Sequence, residues 1–553
     1  MAVTVTARQD TLPSMPAPPR WWASPAAWVI AYLLIGACLL PVFRYALNPD
    51  CTAIISIARH YLHGDAGAAV NGYWNPLLCW LLVPLLALGL PAATAIKLIL
   101  LGSGLLAWWG MRRLMGALGI DEGIRRGIEP ALLPILLYLV YSTNTADLLG
   151  AALLLPYFAL IFSLRYGTGR WDGVACGALG ALAYLAKTYN LPFFLAHFTL
   201  TTAVYALHGE MRVRRPALLR HYLLGVLALI VACGWWIGLI SHKYGFFTVG
   251  TSGAYNMALV GPASSGHPMR SRGLMPPPTP DGVSVWDDPS YFRLPAWSPW
   301  ATPAERRHTL ALLMRNGIGM AKALCFFSLF APLILLFALA TLRRPRSTVA
   351  HPLGSLLLYA AGYLLVTVGK RYLYPTLFLL LCLAGTALMA IPERKRGQTS
   401  VIAVVLGSFI LMPIWNIIVP VVKYARGTLH DRQFYDTAVI MTQQLHVTGR
   451  LASDEKWAES LAIAFSADCP YYGMTRPWES DAEFIEELAR YEIDYFLAWG
   501  YSSPHMSVLA RYPEVSHGTL PHLRLYRIHG QPTGDTRTAH QNSRAVSKRY
   551  SVR

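Results

Sequence analysis

The sequence predicts an all-α polytopic membrane protein of about eleven transmembrane helices with a small C-terminal extracytoplasmic α/β domain. Three observations predict it. Of the 553 residues, 54% are hydrophobic and 14% charged, against the roughly 25% charge of an ordinary soluble domain. Apolar runs of about 17 to 25 residues recur from Ala26 to Val421, each about long enough to cross a ~30 Å hydrocarbon layer. After Lys423 the pattern turns to mixed polar and apolar residues with helix-like and strand-like pieces. The formal net charge of +18 does not indicate nucleic acid, because Lys and Arg cluster in short loops between the apolar runs.

The first run, Ala26 to Pro41, follows a Pro-rich polar segment with Arg8 and Arg20. No small-residue cleavage site closes it, so it reads as a retained anchor after a cytoplasmic tail over 1–25. The loops richest in Lys and Arg are placed in the cytoplasm: Arg112-Arg113 with Arg125-Arg126, Arg165 with Arg170, Arg212 to Arg215, Arg343 to Arg346, and Arg394-Lys395-Arg396. One net crossing then fits between Tyr73 and Arg112. Of its two apolar pieces, 76–88 reads as re-entrant or interfacial and 92–111 as a true span, broken apart at Gly89-Leu90-Pro91. Further spans are expected at 130–145, 148–164, 173–188, 190–206, 222–241, 310–341, 351–369, 373–391 and 400–421, completing a membrane module over 26–422. A soluble α/β domain is expected over 423–530, with a helix at 481–490 and strands at 495–498 and 523–528. The remainder, 531–553, reads as a disordered polar tail. Of the eight cysteines, only Cys51 and Cys469 fall in polar surroundings, and no metal-ligand spacing occurs.

This topology places three segments outside: 44–75, 241–308 and everything after Lys423. Ionisable groups gather there, where the membrane makes them expensive to keep without a role. Asp50 opens a predicted interfacial helix whose Ile54, Ile57, Ala58 and Tyr61 share one face, with Ser56, Arg59, His60 and His63 on the others. Two compatible readings of Asp50 stay open, a helix N-cap and a reactive carboxylate. Asp147 stands at an outward turn, as a turn and capping residue or a second site carboxylate. Lys187 ends a span on the same side. Arg371, with Lys370 and Tyr372, fills a short external turn against the charge bias, which calls for an anionic partner such as a lipid phosphate. Lys97 and Lys243 read as cations snorkelling to headgroups. The external loop 241–308, dense in Trp, Tyr and Pro and expected to lack regular structure, offers Trp286, Asp287 and Asp288. A carboxylate at this depth can take a proton from an acceptor hydroxyl or hold a divalent ion. The sequence leaves the metal at Asp50 and Asp147 undecided.

In order and sidedness these pieces resemble the polyprenyl-phosphate-dependent glycosyltransferases of the GT-C fold, especially bacterial relatives of protein O-mannosyltransferases and of lipid A aminoarabinose transferases. The resemblance runs through Asn48-Pro-Asp50, Ala58-Arg-His-Tyr61-Leu-His-Gly64-Asp, Tyr73-Trp-Asn-Pro76, Asp147, Ala186-Lys187-Thr-Tyr and Arg371-Tyr372-Leu-Tyr-Pro375. It implies transfer of a sugar from a polyprenyl-phosphate donor to an envelope glycan, lipid or protein on the extracytoplasmic face of the plasma (inner) membrane. Asp50 and Asp147 become catalytic-site carboxylates, Lys187, Arg371 and Tyr372 donor-phosphate contacts, and Arg59, His60, Trp74, Asp287 and Asp288 acceptor or sugar contacts. Two departures leave the donor sugar and metal requirement open: Asp50 is followed by Cys51 where many relatives have an acidic pair, and Tyr73-Trp-Asn-Pro lacks the Lys or His before Pro. A lipid-linked sugar flippase and a non-enzymatic scaffold with an external binding domain are the alternatives.

Overall fold

The computed structural model describes residues 24–207, 215–342, 347–391, 398–500 and 503–529. The expected N-terminal tail up to 23, the tail from 530 and the basic loops at 212–214, 343–346 and 394–396 lie outside the described residues.

Helix α1 (Pro25–Phe43) leads into α2 (Pro49–His63), the single turn α3 (Ala66–Ala69) and α4 (Pro76–Ala87). Then come α5 (Ala92–Ala117), α6 (Glu122–Ser142), α7 (Asp147–Ile161), α8 (Asp172–Ala186), α9 (Asn190–Leu207) and α10 (Arg215–Tyr244). The segment that follows, expected to be external and irregular, holds α11 (Ser252–Leu259), α12 (Pro268–Ser271) and two 3₁₀ turns, Val285–Asp287 and Pro289–Tyr291. Side-chain caps shape it, as Ser284 and Asp288 each accept a backbone N–H two residues on. The bundle closes with α13 (Pro303–Phe327), α14 (Ala331–Thr341), α15 (Ser347–Leu364), α16 (Tyr374–Met389) and α17 (Gln398–Ala425).

Among the described residues six helices are long and apolar enough to cross a bilayer: α1, α5, α10, α13, α16 with the turn before it, and α17. Helices α1, α10 and α17 leave most of their apolar surface uncovered by protein, which suits lipid and not water. Helices α7 and α16 are buried along nearly their whole length, as helices apolar on every side must be. The chain is a multi-pass membrane protein. At twelve residues, α4 covers only about 18 Å, short of a crossing. Helices α8 and α10 touch backbone to backbone: a Cβ on Gly173 or Gly177 would collide with the carbonyls of His221 or Gly225, the small-residue contact that membrane helices use in place of hydrophobic burial.

The single span expected over 310–341 is broken. Ser328 is extended (φ −155°), its hydroxyl bonded to Ser408 at 2.6 Å and accepting from Phe330 N, and α14 restarts with a proline in its first turn, where the missing N–H costs nothing. Lys97, expected to snorkel, does not. Lys97 is fully buried and donates to the carbonyls of Val140 and Tyr141 at 3.3 and 3.4 Å, neutralising the negative end of α6. Lys243 donates to Gly67 and Val70. Cys51 and Cys469, expected in polar surroundings, are buried, and burial pushes the Cys51 thiol up to about 12.

The C-terminal domain comprises α18 (His430–Gln443), β1 (Leu451–Ser453), α19 (Trp457–Ser466), β2 (Tyr471–Met474), α20 (Asp481–Arg490), β3 (Tyr495–Trp499), α21 (Met506–Leu509) and β4 (Leu523–Arg527). Its sheet order is β2-β1-β3-β4, with β1 parallel to β2 and β3, and β4 antiparallel to β3. The edge of β2 is covered by the 241–308 loop. Tyr471 N donates to Val283 O and Met275 N to Tyr472 O, both at 2.7 Å, which closes an edge that would otherwise recruit another strand.

Candidate active site

Helix α2 presents the first carboxylate. Asn48, not Asp50, caps it, its side chain accepting Cys51 N at 2.8 Å. That leaves Asp50 in the first turn with both oxygens available. One accepts the indole N–H of Trp286 at 3.0 Å, and the other meets Arg371 Nη2 at 2.5 Å. Asp147 likewise caps nothing: it starts α7, accepts Thr145 Oγ1 at 2.5 Å and pairs with Lys187. Arg371 Nε lies 3.8 Å from Asp147 Oδ2, the oxygen that accepts Thr145, while Lys187 pairs with Oδ1. The anionic partner expected for Arg371 is thus a pair of carboxylates, and the four charges alternate as Asp50, Arg371, Asp147, Lys187.

Local turns deliver the cations. Lys187 ends α8 in an extended conformation, and the next residue is pinned by Asn75, whose Oδ1 accepts Thr188 N at 2.9 Å. Asn75 Nδ2 donates to Tyr184 O at 2.7 Å, so the Asn-Pro turn before α4 fixes the end of α8. Arg371 sits in the 3₁₀ turn Lys370–Leu373 between α15 and α16. Tyr372 covers both cations, its ring 4.5 Å from Lys187 Nζ and 5.1 Å from Arg371 Cζ, and stacks on Tyr363 at 5.5 Å. Side-chain exposure decides what an incoming group meets first. Arg371 and Lys187 are 27% and 20% exposed, Asp50 and Asp147 only 12% and 6%. The cluster therefore offers cations to an approaching anion, with the carboxylates behind them. The space between the two carboxylates is filled by the Arg371 guanidinium, an arrangement that does not suit a divalent ion, and among the described residues no cluster of three or more His, Cys, Asp or Glu forms a metal site.

The other expected contacts lie elsewhere. Arg59, about 14 Å along α2 from Asp50, faces Asp468 at 3.8 Å and lies over Phe465. His60 approaches Asp65 and Thr279, each at 3.5 Å. Trp74 donates to Trp286 O at 3.1 Å. Asp288 accepts Tyr244 Oη and Ser290 N. Asp287 accepts Ser56 Oγ at 2.7 Å and Val283 N at 2.8 Å, with its remaining oxygen buried and unpaired; burial pushes this carboxyl up to about 7. Arg59, His60 and Asp287 thus tie α2 to the C-terminal domain and to the 241–308 loop, while Trp74 and Asp288 tie that loop to the segment before α4 and to the end of α10. Arg59 and His60 also line a cleft of about 830 Å³, measured with its open mouth, between α2, residues 280–283 and residues 468–470. Sequence reasoning placed Trp286 in the loop but missed its bond to Asp50, as well as Thr145, Asn75 and Tyr363. Tyr363 stood in no motif that drew attention.

No protein-family model matches the sequence, and no curated protein matches it. Among solved structures, ArnT from Cupriavidus metallidurans bound to undecaprenyl phosphate superposes with a TM-score of 0.56 at 15% identity, over 93% of this chain and 100% of that one. The apo state of the same protein gives 0.54 at 16% identity, over 91% and 98%. The chain has the GT-C-like membrane fold that the sequence motifs led one to expect.

Proposed function

We propose that this chain is a membrane glycosyltransferase that moves a sugar from a polyprenyl-phosphate-linked donor to an acceptor on the extracytoplasmic face. One observation carries the reading: two partly exposed cations, Arg371 and Lys187, stand in front of two buried carboxylates at one end of the bundle, beneath the external loop and the C-terminal domain. The basic residues Arg112 and Arg113 near the end of α5 and the loop from Arg165 to Arg170 support an inside assignment for the other end. The neighbour bound to undecaprenyl phosphate supports a polyprenyl phosphate as the ligand class.

In this reading Arg371 and Lys187 bind the donor phosphate, and Tyr372 shields the pair from water. The acceptor hydroxyl oxygen attacks the anomeric carbon as the sugar–phosphate C–O bond breaks. Asp50 takes the hydroxyl proton, and the cations balance the charge that develops on the departing phosphate. A single displacement inverts the anomeric centre. Asp147 holds Lys187 and Arg371 in register for the phosphate. The polar site is gathered at one end of the bundle, whereas a flippase would place it near mid-membrane between repeated halves. The test is reconstitution with a panel of undecaprenyl-phosphate sugars, measuring release of undecaprenyl phosphate and the anomeric configuration of the product. Release with inversion on one donor supports the proposal, and no release on any donor sinks it.

A further inference from the structure

The C-terminal domain is linked to the candidate site through Trp286 of the 241–308 loop, on which Trp457 packs. Trp286 is 6% exposed, and its indole N–H is one of two groups holding the Asp50 carboxylate, at 3.0 Å. With one oxygen on Trp286 and the other on Arg371, the carboxylate plane is fixed from both sides. If a donor phosphate draws Arg371 away, Trp286 is the partner that remains.

Trp286 is itself held by two layers. From below, Trp74 Nε1 and Asn71 Nδ2 donate to the carbonyls of Trp286 and Asp287, at 3.1 and 2.8 Å. From above, the segment just before it is bonded to the edge of the domain's sheet: Ser284 bridges to Tyr471 in parallel, and Val283 O accepts Tyr471 N. A ring stack extends the same link. Trp457, the first residue of α19, lies 5.7 Å from Trp286, and His267 packs against both at 4.9 and 5.0 Å. A displacement of β2 or of the start of α19 therefore moves the indole. A carboxylate held at one oxygen by that indole moves with it.

We propose that Trp286 is the positioning residue for Asp50, and that through it the C-terminal domain sets the orientation of that carboxylate. This rests on the glycosyl-transfer reading above. Domain and site then form one unit, in which an acceptor engaging the domain also aligns the base. Removing the indole N–H leaves phosphate binding to Lys187 and Arg371 intact and slows the proton-transfer step alone.

The experiment uses full-length protein and two readouts, binding of undecaprenyl phosphate and label transfer from a panel of polyprenyl-phosphate sugars at matched expression. Trp286→Phe keeps a ring and loses the N–H. It is expected to bind undecaprenyl phosphate within about twofold of wild type and to transfer about ten- to a hundredfold more slowly, the range expected for a misplaced catalytic group. Trp457→Ala is expected to follow it, and Trp457→Phe to restore most of the rate. Transfer by Trp286→Phe at the wild-type rate overturns the proposal. So does joint loss of binding and transfer, which marks a merely structural tryptophan. If wild type itself transfers from no donor, the glycosyl-transfer reading fails first and takes this inference with it.

Discussion

Neutralising Asp50 makes an unusual prediction about ligand binding. Arg371 meets Asp50 at 2.5 Å with 27% of its side chain exposed, so a phosphate arriving at Arg371 competes with the carboxylate already there. Two unit charges about 4 Å apart interact by about 4 kcal/mol at an effective dielectric of 20. Solvent screening of a partly exposed pair and the second carboxylate nearby reduce the net competition to about 1–2 kcal/mol. Asp50→Asn should therefore bind undecaprenyl phosphate about five- to thirtyfold more tightly than wild type, while losing transfer. The assay is titration of purified protein in micelles with undecaprenyl phosphate, with and without EDTA. Weaker binding by Asp50→Asn, matched by weaker binding of wild type in EDTA, would refute the reasoning. The carboxylate would then be holding a divalent ion that bridges to the phosphate.

Lys187→Met should weaken undecaprenyl phosphate binding at least about tenfold and lower the thermal unfolding temperature, since it strands a buried carboxylate at a cost of up to about 3 kcal/mol; adding Asp147→Asn should recover the stability and not the binding. Lys97→Met leaves two carbonyls at the end of α6 without their donor, a loss of about 1–3 kcal/mol seen as earlier unfolding with phosphate binding unchanged. Asp287 carries a pH dependence. Its folded-state pKa of about 7 lies above the ordinary carboxylate value, so its protonated form is the one the fold favours, and its contribution is present at low pH and lost as pH rises from about 4 through 7. Proteolytic or hydrogen-exchange protection of residues 275–292 should fall over that range in wild type and stay flat in Asp287→Asn; a flat wild-type profile contradicts the assignment.

Most of the architecture was legible because it rests on local signals. Apolar length marked the helices of the bundle, and α20 was expected over 481–490, where the structure adds a capping box of Ser480 and Glu483. Strands β3 and β4 were long enough to read. The three residues of β1 and four of β2 were too short to show any period, so the parallel half of the sheet stayed hidden. The break at Ser328 was signalled by Pro332 but masked by unbroken apolarity on both sides. At the site, sidedness alone gathered Asp50, Asp147, Lys187 and Arg371 on one face, where the structure joins them in one ion-pair chain. Their partners were not legible. Asn48 and Asp50 are both competent caps two residues apart, and only geometry assigns the cap to Asn48. The bond from Trp286 to Asp50 spans 236 residues, and no local pattern encodes a pairing at that range. Lys97 misled for a related reason: a lysine near a helix end looks like a snorkelling cation until a neighbouring helix terminus is placed against it.

The central claim is that Asp50 serves sugar transfer from a polyprenyl-phosphate donor. It is tested most directly by transfer of radiolabelled sugar from a panel of polyprenyl-phosphate sugars, in membranes carrying wild type or Asp50→Asn at matched expression. The account predicts label transfer from one donor by wild type and a loss of at least about a hundredfold in the variant. Equal transfer by both proteins would contradict it, leaving Asp50 as a structural partner of Arg371 and Trp286.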